Sequence, residues 1–308
     1  MNNNYKNNLI FKLFPPFTHP YILLVRLDKP IGFLLLFYPI SFILASSTNS
    51  SSNNILILFI IFFIGSMVMR SAGCIVNDFI DKDIDRKVSR TQNRALASSQ
   101  ISLKNSLILL FFLLIIGLII LLQLNYEAIV LGLVITPLII LYPLAKRFFF
   151  LPQLILALTY NWGCFIGWVA MGSNVPFSSV LILYVSLIFW TLTYDTIYAT
   201  QDEKEDKELK LYSSTLFFGA RRMIILNLMI FFKYFLLAVF GSGLNFSFLY
   251  YVLLTTIFLI NIIDLNFMWK NIPEKAGSYF SRNNYYGMSI LFSICLLYTS
   301  DAADDVRS

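Results

Sequence analysis

ILILFIIFFIGSMVMRSAGCIVNDFIDKDIDRKVSRTQNR, from Ile55 to Arg94, decides how the rest of the chain is read. Its first half is a continuous apolar run, long enough to cross a hydrocarbon core about 30 Å thick. Because the run is continuous rather than alternating, it predicts a membrane helix and not a barrel strand. Its second half crowds carboxylates and guanidinium groups into one loop. Asn77, Asp81 and Asp85 recur every fourth residue, so a helix places them on one face, where they can share a divalent cation.

The same alternation of apolar run and charged loop extends over the whole chain. Hydrophobic residues make up 58% of the 308 residues and charged ones 13%, and the mean hydropathy is +0.73. This composition excludes a soluble domain and predicts an all-α integral membrane protein. Spans are expected near 30–46, 55–74, 105–123, 127–145, 151–171, 179–199, 217–240 and 246–266, with a ninth beginning near Tyr285 and apparently truncated. Lys and Arg concentrate in 1–29, 77–104, 146–147, 204–222 and 270–282, whereas the intervening loops at 46–54, 123–127, 172–178 and 241–247 hold none. The positive-inside rule puts the basic loops, and both acidic motifs with them, on the cytoplasmic side. The net charge of +6 then reflects topology and contact with the lipid bilayer, and no nucleic-acid partner is expected. The N-terminal MNNNYKNNLIFKLF matches neither a signal peptide nor a transit peptide, so a bacterial inner membrane is expected over the mitochondrial one. Residues 1–296 read as a single domain. The closing YTSDAADDVRS interrupts an apolar run, so 297–308 reads as a non-native tail.

The second acidic stretch, YDTIYATQDEKEDKEL from Tyr194 to Leu209, repeats the logic of the first. Asp202 and Asp206 stand at i, i+4, with Lys204, Lys207 and Lys210 interleaved. Mg²⁺ takes a few carboxylates together with phosphate oxygens and water, and the arginines beside the first motif suit phosphate. Two such faces on one membrane side would make a site for a metal-bound diphosphate. Asp83 points away from the face of Asn77, Asp81 and Asp85. The scattered Cys74, Cys164 and Cys295 and the single His19 offer no zinc site and no His-dependent triad.

The stretch Met69 to Ser102 resembles the first signature of the UbiA superfamily of intramembrane prenyltransferases, N-D-x-x-D-x-x-x-D, at Asn77, Asp78, Asp81 and Asp85. Asp202 and Asp206 resemble the second, D-x-x-x-D. RLDKPIG (Arg26 to Gly32), YPLAKRFFFLPQ (Tyr142 to Gln153), NWGCFIGW (Asn161 to Trp168), DTIYATQD (Asp195 to Asp202) and SRNNYYG (Ser281 to Gly287) are similar to the 4-hydroxybenzoate polyprenyltransferase branch, in its alphaproteobacterial and mitochondrial form. The resemblance implies nine transmembrane helices around a central cavity capped by the acidic motifs. It also implies Mg²⁺, a polyprenyl diphosphate donor, and transfer to the ring carbon ortho to the hydroxyl of 4-hydroxybenzoate, a step of ubiquinone biosynthesis. On that footing Asn77, Asp78, Asp81, Asp85, Asp202 and Asp206 hold the metal. Arg90, Arg94 and Lys210 bind diphosphate, while Lys146 and Arg147, with Arg26 and Arg70, are the cations for the acceptor's carboxylate. Tyr198, with Tyr142, Tyr160 and Tyr194, could face the allyl cation. The chain departs from the family at Ala95 (usually Pro), at Ser99 (usually Gly) and at Tyr212-Ser213-Ser214 (usually Lys-Ser-Thr), where Lys210 would supply the missing cation. Rival readings are a related enzyme acting on naphthoate, homogentisate or haem, and a cation transporter. The transporter would need ionisable groups near the bilayer midplane, where Lys233 is the main candidate.

Overall fold

A computed structural model describes residues 9–47 and 52–296, and every regular element among them is a helix. The expected tail at 297–308 lies outside the described residues. Helices stand at the predicted runs: α1 Ile31–Ala45, α2 Ser52–Ile80, α3 Leu103–Leu121, α4 Tyr126–Ala145, α5 Pro152–Ala170, α6 Phe177–Ala199, α7 Arg222–Gly243, α8 Phe248–Trp269 and α9 Ala276–Cys295. Seven helices among the described residues, those from α2 to α8, are long and apolar enough to cross a membrane. Side-chain caps start α3 and α4: Ser102 Oγ accepts from Asn105 N–H at 3.2 Å, and Asn125 Oδ1 from Ala128 N–H at 3.1 Å.

Two helices outrun their apolar segments. The second predicted span stops at 74, yet α2 continues to Ile80 because buried ion pairs hold its polar end. The sequence predicts the ninth from Tyr285, yet α9 begins at Ala276. The polar stretch Arg282–Asn284 is absorbed because each side chain finds a partner. Arg282 pairs with Asp264, the Trp190 indole donates to Asn283 Oδ1 at 2.8 Å, and Tyr38 donates to Asn284 Oδ1 at 2.6 Å.

The chain divides into two compact units, Met1–Leu34 with Phe63–Gln123, and Leu35–Phe62 with Leu124–Ser308. In the first, the short helix His19–Leu24 packs on α2, α3 and the loop after the first motif, burying Leu24, Val25, Ile75, Ala95, Leu96 and Ile101. In the second, α1 meets α5 where glycines recur at i, i+4. A Cβ on Gly163 would lie 2.6 Å from Ile40 Cγ1, and one on Gly167 would lie 2.9 Å from Ile43 Cγ2. This small-residue seam substitutes for a hydrophobic drive that lipid cannot provide. Asn161 locks the neighbouring turn, its amide donating to Ala157 O, Leu187 O and Thr191 Oγ1.

Four turns end in the same way, with a left-handed residue that is not glycine. At Arg26 (φ 59°), Ser99 (59°), Lys210 (55°) and Asn245 (57°), the next residue's N–H bonds back five positions: Leu27 to Ile22, Gln100 to Ala95, Leu211 to Asp206 and Phe246 to Gly241. These are Schellman motifs, whose left-handed position favours glycine. The family's glycine at the position of Ser99 therefore has a backbone reason.

Ser99 is exposed, so Ser99→Gly should raise stability by about 0.5–1 kcal/mol, read as a higher unfolding midpoint; an unchanged or lower midpoint would contradict this reading. Gly163→Val should cost roughly 2 kcal/mol by overpacking the α1–α5 seam, and a midpoint equal to wild type would contradict the close approach.

Candidate active site

The first acidic motif is a nearly continuous helical path. Asp81 N–H bonds Asn77 O at 2.9 Å and Asp85 N–H bonds Asp81 O at 2.7 Å, which keeps those three side chains on one face. Asp78, Asp81 and Asp85 are only 1%, 3% and 4% exposed, whereas the side chain of Asp83 is 89% exposed and pairs with Arg86 at 3.4 Å. Such burial is costly for a carboxylate unless a cation accompanies it.

Two arginines accompany this cluster. Arg26 Nη2 reaches both oxygens of Asp78, at 2.9 and 3.0 Å. Arg94 Nη1 bridges Asp78 Oδ1 at 3.2 Å and Asp85 Oδ2 at 2.8 Å. The left-handed turn that ends the His19–Leu24 helix delivers Arg26, and the loop that buries Ala95 and Leu96 delivers Arg94. Burial pushes the Asp85 carboxyl above its ordinary value; Arg94 opposes this, and the charges of Asp78 and Asp81 add to it. Arg90, on the same loop, is exposed, and Arg70 is half-buried on α2.

In the second unit, α6 runs through a single 3₁₀ turn, Thr200–Asp202, into the short helix Glu203–Glu208. Asp202 and Asp206 are half-buried, whereas Lys204, Lys207 and Lys210 are exposed. Glu203 fastens this helix to α7 through Arg222 at 2.5 Å, and that guanidinium lies 6.0 Å from the Trp269 ring. An aromatic stripe on α6 leads to the motif. Trp190, Tyr194 and Tyr198 recur at i, i+4 and i+8, with Phe42 stacked on Trp190 and Phe280 set 4.8 Å from Tyr198. Tyr212–Ser214 folds onto the 142–153 segment. Tyr212 N–H donates to Lys146 O at 2.8 Å, and Ser214 N–H to Gln153 Oε1 at 2.9 Å. Ser213 and Ser214 are buried here, while the Tyr212 side chain, where the family pattern carries lysine, is exposed. Lys146 is half-buried and Arg147 exposed; Tyr142 and Tyr160 are half-buried.

Sequence reasoning missed the partners of Asp264. Asp264 of α8 pairs with Arg282 and accepts from the Tyr286 hydroxyl at 2.7 Å. Lys233 is 2% exposed, and its Nζ sits 3.9 Å from the Tyr234 ring centre, 5.5 Å from that of Trp190 and 5.8 Å from that of Tyr286. An isolated acid in an apolar span was the available signal for Asp264.

Among the described residues, no three Asp, Glu, His or Cys side chains come together as a ready-made metal cage. The donors present are all oxygens, the ligand type of a hard divalent cation, and the crowding of Asp85 by Asp78 and Asp81 is of the kind a cation relieves. The residues fit Mg²⁺.

Residues 34–291 match the model of the UbiA prenyltransferase family. Among curated proteins, the chain is 35% identical over 276 residues to 4-hydroxybenzoate octaprenyltransferase of Legionella pneumophila strain Lens, covering 90% of this chain and 97% of that one. It is 42% identical over 210 residues to the mitochondrial 4-hydroxybenzoate polyprenyltransferase of Drosophila pseudoobscura pseudoobscura, covering 68% of this chain. The match spans about half the length of that relative (53%). Among solved structures, the fold is similar to the apo UbiA homologue of Aeropyrum pernix K1, with a TM-score of 0.69 at 22% identity over 88% of this chain and 98% of that one. It is also similar to the Archaeoglobus fulgidus UbiA homologue bound to GPP and Mg²⁺, with a TM-score of 0.68 at 18% identity over 90% and 99%. A family match over most of the chain, two acidic motifs in the family's order and the shared fold lead to one conclusion: this protein belongs to the UbiA prenyltransferase family.

Proposed function

We propose that the protein transfers a polyprenyl group from its diphosphate to the ring carbon ortho to the hydroxyl of 4-hydroxybenzoate, at the cytoplasmic side of a bacterial inner membrane. The observation that carries the reaction class is the burial of Asp78, Asp81 and Asp85 beside Arg26 and Arg94. The acceptor is supported by the relatives' names, which favour 4-hydroxybenzoate over naphthoate, homogentisate or haem. The A. fulgidus homologue bound to GPP and Mg²⁺ supports the donor and the metal.

In this reading Asn77, Asp81 and Asp85 of the first motif, with Asp78 beside them, and Asp202 and Asp206 of the second hold Mg²⁺. The metal, when bound, supplies Lewis-acid neutralisation of the departing diphosphate. Arg94, Arg90 and Lys210 donate charge-assisted hydrogen bonds to the leaving group as the C1–O bond breaks and its electron pair passes to oxygen. Tyr194 and Tyr198 offer π faces to the allyl cation left at C1, and the apolar spans keep water from quenching it. The ring carbon attacks C1, and its proton leaves as aromaticity returns. Arg70, Arg26, Lys146 and Arg147 are the cations available to the acceptor's carboxylate; Arg26 is drawn toward Asp78.

Membranes carrying the protein, given Mg²⁺, geranyl diphosphate and labelled 4-hydroxybenzoate, should form a lipid-soluble prenylated acid that disappears with EDTA and returns with Mg²⁺. Prenylation of a naphthoate or homogentisate alone would overturn the acceptor. Asp81→Ala and Asp202→Ala should each lower turnover by roughly 1,000-fold or more while insertion is unchanged, and wild-type turnover in either would overturn the metal assignment.

A further inference from the structure

RLDKPIG ends in a glycine whose presence the mechanism above does not explain. Gly32 is buried in the first turn of α1 and is not among the residues with positive φ. No left-handed torsion therefore demands glycine, and alanine is the better helix former. The position is filled from outside instead. A Cβ on Gly32 would lie 2.9 Å from Arg70 Nε, 3.5 Å from Nη2 and 3.6 Å from Cζ. The Arg70 guanidinium thus rests against the α1 backbone, in the space a side chain would occupy.

The location of Arg70 gives that contact a meaning. It lies two turns before Asn77 on the same stripe of α2, roughly 10 Å along the helix axis. A benzoate spans about 5 Å from carboxylate to the reacting ring carbon, and the allylic carbon and diphosphate fill a similar distance; bond lengths fix both. A cation two turns inside the metal ligands is therefore at the right depth to hold the acceptor's carboxylate. Lys233 fails the same test. Its neighbour Trp190 stands twelve residues before Asp202 on α6, roughly 18 Å along the axis.

We propose that Gly32 is a positioning residue for the acceptor: the missing side chain seats the Arg70 guanidinium, and so sets where the aromatic carboxylate is held. This rests on the reading of Arg70 as the carboxylate's partner. The contact is with the far end of a flexible side chain, so adding a methyl group displaces Arg70 with little strain on the fold. A displacement near 1 Å is enough to impair alignment.

The test uses the full chain in nanodiscs with Mg²⁺, geranyl diphosphate and 4-hydroxybenzoate. Gly32→Ala should raise KM for 4-hydroxybenzoate about tenfold, leave KM for geranyl diphosphate within about twofold, and leave the unfolding midpoint equal or higher. In an Arg70→Ala background, the same change should have no further effect, since the two act through one contact. An unchanged acceptor KM in Gly32→Ala, with Arg70→Ala raising it, would overturn the role of Gly32 alone. An unchanged acceptor KM in Arg70→Ala would overturn the reading of Arg70 beneath it. Effects that multiply in the double variant would show that Gly32 acts by another route.

Discussion

Three carboxylates withdrawn from water within eight residues are the constraint on which the first unit depends. Buried carboxylates are costly without cations, and the chain brings Arg26 from 52 positions upstream and Arg94 from the following loop to meet them. Each arrival shapes the backbone. Arg26 sits in a left-handed turn that costs about 1 kcal/mol in a residue with a side chain, and Nη2 contacts with both oxygens of Asp78 offset it. The loop carrying Arg94 is anchored by burial of Ala95 and Leu96, each 1% exposed. Even so, Asp85 is left with its carboxyl raised by burial and by its acidic neighbours. A cluster in that state favours further positive charge, which a divalent cation would bring.

The second motif solves a different problem. Its acids are half-buried rather than enclosed, and a short helix needs external fixing. Glu203 with Arg222 holds one end, and the Schellman turn at Lys210 closes the other. The segment Tyr212–Ser214 then docks through its backbone N–H groups, on Lys146 O and on the side-chain Oε1 of Gln153. Both bonds use main-chain N–H groups and leave the side chain of residue 212 exposed, which is why tyrosine stands there without disturbing the turn. Along α6, one residue period serves two chemistries: Trp190, Tyr194 and Tyr198 supply aromatic faces, and the next turn supplies Asp202.

Much of this was legible in the sequence because it is periodic. Apolar runs gave the helices from α1 to α8, and the four-residue spacing separated the buried Asp81 and Asp85 from the exposed Asp83. What could not be read depends on contacts between distant residues. Nothing in RLDKPIG says that Arg26 meets Asp78 or that Gly32 makes room for Arg70. The early start of α9 was hidden because Arg282, Asn283 and Asn284 are polar. They sit inside a helix only because Asp264, Trp190 and Tyr38 receive them. Ser99 in place of the family's glycine became interpretable once its left-handed torsion was visible.

The central claim is that the two acidic motifs together hold the cation that accompanies the diphosphate. Mn²⁺ in place of Mg²⁺, followed by electron paramagnetic resonance, tests it most directly with a non-reactive thiolo analogue of geranyl diphosphate. The account predicts that free Mn²⁺ is taken up by the protein only when the analogue is present, and that Asp81→Asn and Asp202→Asn each abolish the uptake. Undiminished uptake in either variant, or equal uptake without the analogue, would contradict it.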